Sequence, residues 1–166
     1  MSRSVRLVVA MLLAALSISA FVSPALAETV SVTDPSGDTP DILKLTLSNN
    51  ESAVVLKQKY TDVAYVQVET LYIKWGDPTY YRINRGNYDN DAALETRFWL
   101  TTPDGDKEKE CAAMEVSRSA ANDLSTYRVP RSCLPKAPNR VFAKGVATMG
   151  LYEKDETKAT AKADRG

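Results

Sequence analysis

Histidine does not occur among the 166 residues. Its absence removes the usual general base, and with it the serine triads and cysteine–histidine dyads of hydrolases. Glycine is sparse, with 7 residues, and none of them builds a G-x-S-x-G elbow or a phosphate-cradling loop. Neither sign of charge dominates: 21 Lys and Arg stand against 21 Asp and Glu. A chain so close to neutral has no electrostatic footprint for nucleic acid or an anionic membrane. Only one long uncharged apolar run exists, at the start, so no membrane span is expected beyond it. No apolar period of 3.6 persists for about ten residues after that run, which leaves no amphipathic helix to build with.

What is present begins with that run. Arg3 and Arg6 precede an uncharged stretch from Leu7 to Val22. Pro24 then breaks the segment before Ala25-Leu26-Ala27, which places small residues at the −3 and −1 positions of a signal-peptidase site. This is the pattern of a secretory signal peptide over residues 1–27. The expected product runs from Glu28 to Gly166. It is secreted, monomeric and slightly acidic, and long enough to bury a core without metal or a disulfide framework. Its two cysteines, Cys111 and Cys133, would form one disulfide in an oxidising compartment. Closing that loop is worth roughly 3 kcal/mol in the chain-entropy model.

The exported part reads as strands punctuated by turns. Leu43, Leu45 and Leu47 alternate with polar residues, Asn49-Asn50-Glu51 turns the chain, and Ala53 to Tyr60 returns. Tyr65 to Trp75 reads as one strand, with Val66, Val68, Thr70 and Tyr72 on one face and Tyr65, Leu71, Ile73 and Trp75 on the other. Further strands are expected at Tyr80 to Arg85, Leu94 to Thr101, Lys109 to Val116, Ser125 to Val129 and Val141 to Leu151. Turns fall at Gly76-Asp77-Pro78 and Pro103-Asp104-Gly105-Asp106, and a helical turn at Ser132 to Lys136. Eight or nine short strands with no crossover helices predict an all-β fold over residues 28–152. The expected form is an antiparallel β-sandwich, jelly-roll or immunoglobulin-like. Residues 153–166 are charged, alanine-rich and without apolar period, so a flexible tail is expected.

Two groups of side chains carry candidate chemistry. Asp34, Asp38 and Asp41 lie in a Gly- and Pro-containing loop and offer oxygen ligands suited to calcium. Asn87, Asp89 and Asp91 have the spacing that opens an EF-hand, but Ala92 and Phe98 occupy the positions that need Gly and Glu. Among the aromatics, Trp75, Tyr80, Tyr81 and Trp99 are the candidates for stacking on sugar rings. Trp99 shares a strand face with Glu95, Arg97 and Thr101, which places it on the polar side. A pair of strand carboxylates drawn from Glu69, Glu95, Glu110 and Glu115 is all that a glycoside hydrolase would have to work with. The favoured expectation is a non-enzymatic binding domain for a polysaccharide or cell-envelope polymer, with calcium support. The alternative is a structural or protein-interaction domain acting through an exposed sheet edge.

Val32-Thr33-Asp34-Pro35-Ser36-Gly37-Asp38 leading to Asp41-Ile42, together with Tyr127-Arg128-Val129-Pro130-Arg131-Ser132-Cys133-Leu134, resembles a group of small secreted actinobacterial proteins of uncharacterised function. The resemblance implies a β-sandwich and a bond from Cys133 to a cysteine one strand earlier, here Cys111. It implies no activity. The group's Gly-x-Pro-x-Trp-Val-Arg-like run is replaced here by Lys136-Ala137-Pro138-Asn139-Arg140-Val141-Phe142.

Overall fold

The structure, a computed structural model, describes residues 27–35, 40–86, 94–149 and 153–166. The leader up to Leu26 lies outside these residues, as do Asp38 and the Asn87, Asp89 and Asp91 cluster. The first of two sheets contains β1 (Glu28–Thr33), β2 (Ile42–Asn49), β3 (Ala53–Tyr60), β8 (Glu115–Ser119) and β9 (Leu124–Pro130). Its order is β1-β2-β3-β9-β8. The second contains β4 (Val68–Lys74), β5 (Tyr80–Gly86), β6 (Glu95–Thr102), β7 (Gly105–Glu108), β10 (Arg140–Met149), β11 (Glu153–Glu156) and β12 (Ala163–Asp164). It runs β11-β10-β4-β5-β6-β7, with β12 also paired to β10. Every pairing is antiparallel, and the two sheets pack face to face as a β-sandwich.

Period-2 alternation decides what each strand buries. Leu45 and Leu47 of β2, Val54 and Leu56 of β3, and Tyr127 and Val129 of β9 point inward. They meet Leu71, Ile73, Tyr81, Ile83, Phe98, Leu100, Val141 and Ala143 from the other sheet. A smaller cluster of Ile42, Tyr60, Val63, Val66 and Ala147 closes one end. At that end the interior also holds polar groups. Glu69, only 2% exposed, accepts hydrogen bonds from the hydroxyls of Ser125 and Tyr127 and has Arg85 and Arg118 at 3.8 and 3.9 Å. Gln58 lies over Gly145, where a Cβ would come within 2.8 Å of its Nε2. Glycine there permits the close approach of the two sheets.

Two strand expectations are corrected. The predicted strand at Tyr65 to Trp75 starts later, because Asp62 accepts a hydrogen bond from the Ala64 amide and sets a 3-10 turn over Val63–Tyr65. The chain becomes a strand only at Val68. Of the predicted strand at Lys109 to Val116, only Glu115 and Val116 are strand; residues 109–114 are the passage from β7, at the edge of one sheet, to β8, at the edge of the other. A hydrogen bond from the Met114 amide to the Cys111 carbonyl turns it, and the Cys111–Cys133 disulfide ties it to the end of β9. The Cα atoms of that pair are 5.6 Å apart.

The tail, for which flexibility is expected, lies along β10. β11 pairs with the end of β10, and β12 pairs with its start. Between them, Thr157 and Thr160 are buried and take over the ladder. Their Oγ1 atoms accept from the Gly145 and Ala143 amides at 3.0 and 2.9 Å, and their own amides donate to the carbonyls of the same two residues. The tail is a strap along the β10 edge.

Candidate functional site

Outward-facing side chains of β10, β4, β5 and β6 form a patterned surface on the seven-stranded sheet. Register places Phe142 opposite Lys74, Lys74 opposite Tyr80, and Tyr80 opposite Thr101. One row on, Lys144 lies opposite Tyr72, Tyr72 opposite Arg82, and Arg82 opposite Trp99. Directly opposed residues share a sheet face, so rings and cations alternate across four strands, about 14 Å at ordinary strand spacing, with Thr101 alone breaking the pattern. Tyr72 and Tyr80 meet edge to face with centroids 5.6 Å apart. Lys74 Nζ lies 5.1 Å from the Tyr80 ring centre, and the Arg82 guanidinium lies 4.8 Å from that of Trp99. Such contacts hold the cation over the negative π face.

Acidic side chains anchor these cations. Arg82 pairs with Asp106 at 2.8 Å, and Asp106 also accepts the Thr101 hydroxyl at 2.8 Å. Lys74 pairs with Asp77 at 3.1 Å, and Lys144 with Glu156. The side chains of Lys144 and Lys154 hold the Glu156 carboxyl below the usual carboxylate range.

Of the four aromatic candidates, the structure brings Tyr80 and Trp99 together on this face and puts the other two elsewhere. Tyr81 is corrected to a core residue: it is 1% exposed and its ring stacks on Phe98 at 5.2 Å. Its hydroxyl accepts from the Lys136 amide at 3.1 Å, and burial raises that hydroxyl above the ordinary tyrosine range. Trp75 is half-buried against the core and packs on Tyr81 at 5.5 Å. Parity explains both placements, since Trp75 continues the inward series Leu71 and Ile73, and Tyr81 sits between the outward Tyr80 and Arg82. Tyr72, Phe142, Lys74 and Arg82 were not among the candidates. Tyr72 and Phe142 carried a signal, because each alternates with buried neighbours. Their meeting with Tyr80 depends on register.

The acidic loop is partly described. Asp41 is mostly buried and accepts the Thr61 hydroxyl at 3.0 Å. Asp155 of β11 accepts from the Ile42 amide at 2.6 Å. Burial pushes the Asp155 carboxyl up, and the neighbouring charges of Asp34 and Asp41 add to that push. Among the described residues, no group of three His, Cys, Asp or Glu side chains is placed to hold a metal ion.

Of the four carboxylates expected on strands, Glu110 lies in the passage between β7 and β8, and Glu69 is enclosed by hydroxyls and guanidiniums, as described above. The Tyr127 hydroxyl is raised well above its ordinary range by burial and then by the Glu69 charge, which keeps it a donor. The same two causes act on the buried Tyr60 hydroxyl. Glu95 pairs with Arg97 at 3.1 Å, and Glu115 lies 3.9 Å from Arg128.

No protein-family model matches the chain, and comparison with curated proteins also returns no match.

Proposed function

We propose that the protein is an exported, non-enzymatic domain that binds a polysaccharide or cell-envelope polymer through the outer face of its seven-stranded sheet. One observation carries this reading: Tyr80 and Trp99 lie half-buried on the same outward face, and Tyr72 and Phe142 extend it across neighbouring strands. Aromatic rings set on rigid strands present apolar area with little entropy left to lose, which suits CH–π contact with sugar rings. Extended polymers match an extended face better than they match a closed pocket.

The test is retention of the exported protein on insoluble cell wall, chitin, cellulose and xylan, with Trp99→Ala as the probe. Because Trp99 points away from the core, the variant is expected to keep its melting temperature and lose retention at least tenfold, about the 1.4 kcal/mol that one good ring contact supplies. Retention unchanged in a folded variant would sink the reading. Running the assay in calcium and again in chelator tests whether Asp34, Asp38 and Asp41 contribute an ion.

A further inference from the structure

The strap leaves a groove of about 490 Å³ between itself and the aromatic face, with Phe142 in its lining. Lys74 and Lys144 enter it from the sheet, and Lys158 from the strap. Lys158 is exposed and makes no ion pair among the described residues. Lys154, on the outward side of β11 with Glu156, adds a fourth ammonium to this corner. Against the four stand two carboxylates, Asp77 and Glu156. This corner is therefore cationic on a chain whose total charge balances.

We infer that the polymer is an acidic polysaccharide whose carboxylates seat in this groove among Lys74, Lys144 and Lys158, an inference that rests on the proposed glycan-binding face. Three features select that ligand. The groove continues directly into the ring surface, because Lys74 lies between Phe142 and Tyr80 in the same row. A sugar on the rings would thus carry its charged substituent to the lysines. Every cation lining the groove is a lysine, a compact ammonium that pairs with an anionic substituent as a point charge rather than through a bidentate fork. Lastly, the Asp77 partner of Lys74 is 81% exposed, and an exposed pair of that kind is weak enough for a ligand carboxylate to replace it.

The experiment measures affinity of the exported protein for polygalacturonate, a neutral glucan and dextran sulfate, at low and high salt, for wild type and Lys158→Glu. Lys158 has no ion-pair partner among the described residues, so the variant should fold with an unchanged melting temperature. Expected are preference for polygalacturonate, weakening as salt rises, and a loss of about fivefold on that polymer alone in Lys158→Glu. Equal, salt-insensitive retention of acidic and neutral polymers, untouched by Lys158→Glu, would overturn the acidic ligand and leave the glycan face standing. Preference for dextran sulfate over polygalacturonate would overturn the carboxylate assignment. Retention of none of the three, together with none of the insoluble polymers above, would overturn both.

Discussion

Glu69 shows how little of a residue's role is visible from its neighbours in the chain. It sits between Val68 and Thr70 in a strand, much as Glu95 and Glu115 do, and nothing local marks it as the carboxylate that is buried. Its environment comes from Ser125, Tyr127, Arg85 and Arg118, all distant in sequence. A buried carboxylate survives only with hydrogen bonds and counter-charge, and removing one partner strands the others. Glu69→Gln leaves both guanidiniums without their anion. The cost should be about 3 kcal/mol, at the low end for a buried pair because Arg85 and Arg118 keep some solvent contact. Urea unfolding of the variant at neutral pH measures it. A change within about 0.5 kcal/mol would mean that the cluster does not stabilise the sandwich.

Elements follow the alternation of the sequence wherever a strand has one wet and one dry face, which is why β2, β3, β5, β6 and β9 lie where their patterns put them. The strap escaped that logic. Its buried positions Thr157, Thr160 and Ala163 recur every third residue, a period that matches neither a helix nor a strand. Two of the three are polar, so no apolar signal marks them. The threonines are used for hydrogen bonding rather than burial: each hydroxyl completes a β10 amide that would otherwise face solvent at the sheet edge. Thr160→Val keeps the shape and removes the acceptor for the Ala143 amide. The expected loss is about 1–3 kcal/mol, the cost of leaving a buried N–H unpaired. A thermal melt identical to wild type would show that the strap does not stay docked in solution. The β8 edge is defended differently, by Arg118, which turns inward to the Val66 carbonyl at 3.0 Å and to Glu69.

Across the whole molecule, fold class and strand content were legible because they depend on period and turn chemistry, whereas strand order was not. Sheet pairing decides that Asp155 of β11 faces the end of the sandwich near Asp34 and Asp41, while its neighbours Lys154 and Glu156 lie on the outward side, where Glu156 lines the cationic groove. One short strand thus divides an acidic end from a basic face. The acidic end has a pH signature. Burial, and secondarily Asp34 and Asp41, raise the Asp155 carboxyl, so the folded state holds its proton more tightly than the unfolded chain does. Between the ordinary carboxylate value and the raised one, the folded protein binds more protons, and stability falls as pH rises through that window. At neutral pH the ionised Asp155 is therefore a net liability. Asp155→Asn retains a side-chain acceptor for the Ile42 amide and removes the charge. It should melt higher than wild type at pH 7, and the gap should close as pH falls to about 3, where the wild-type carboxyl is neutral in both states. A gap of the opposite sign, or one that ignores pH, would mean that the hydrogen bonds to Ile42 and Glu156 outweigh the burial and repulsion at this end of the sandwich.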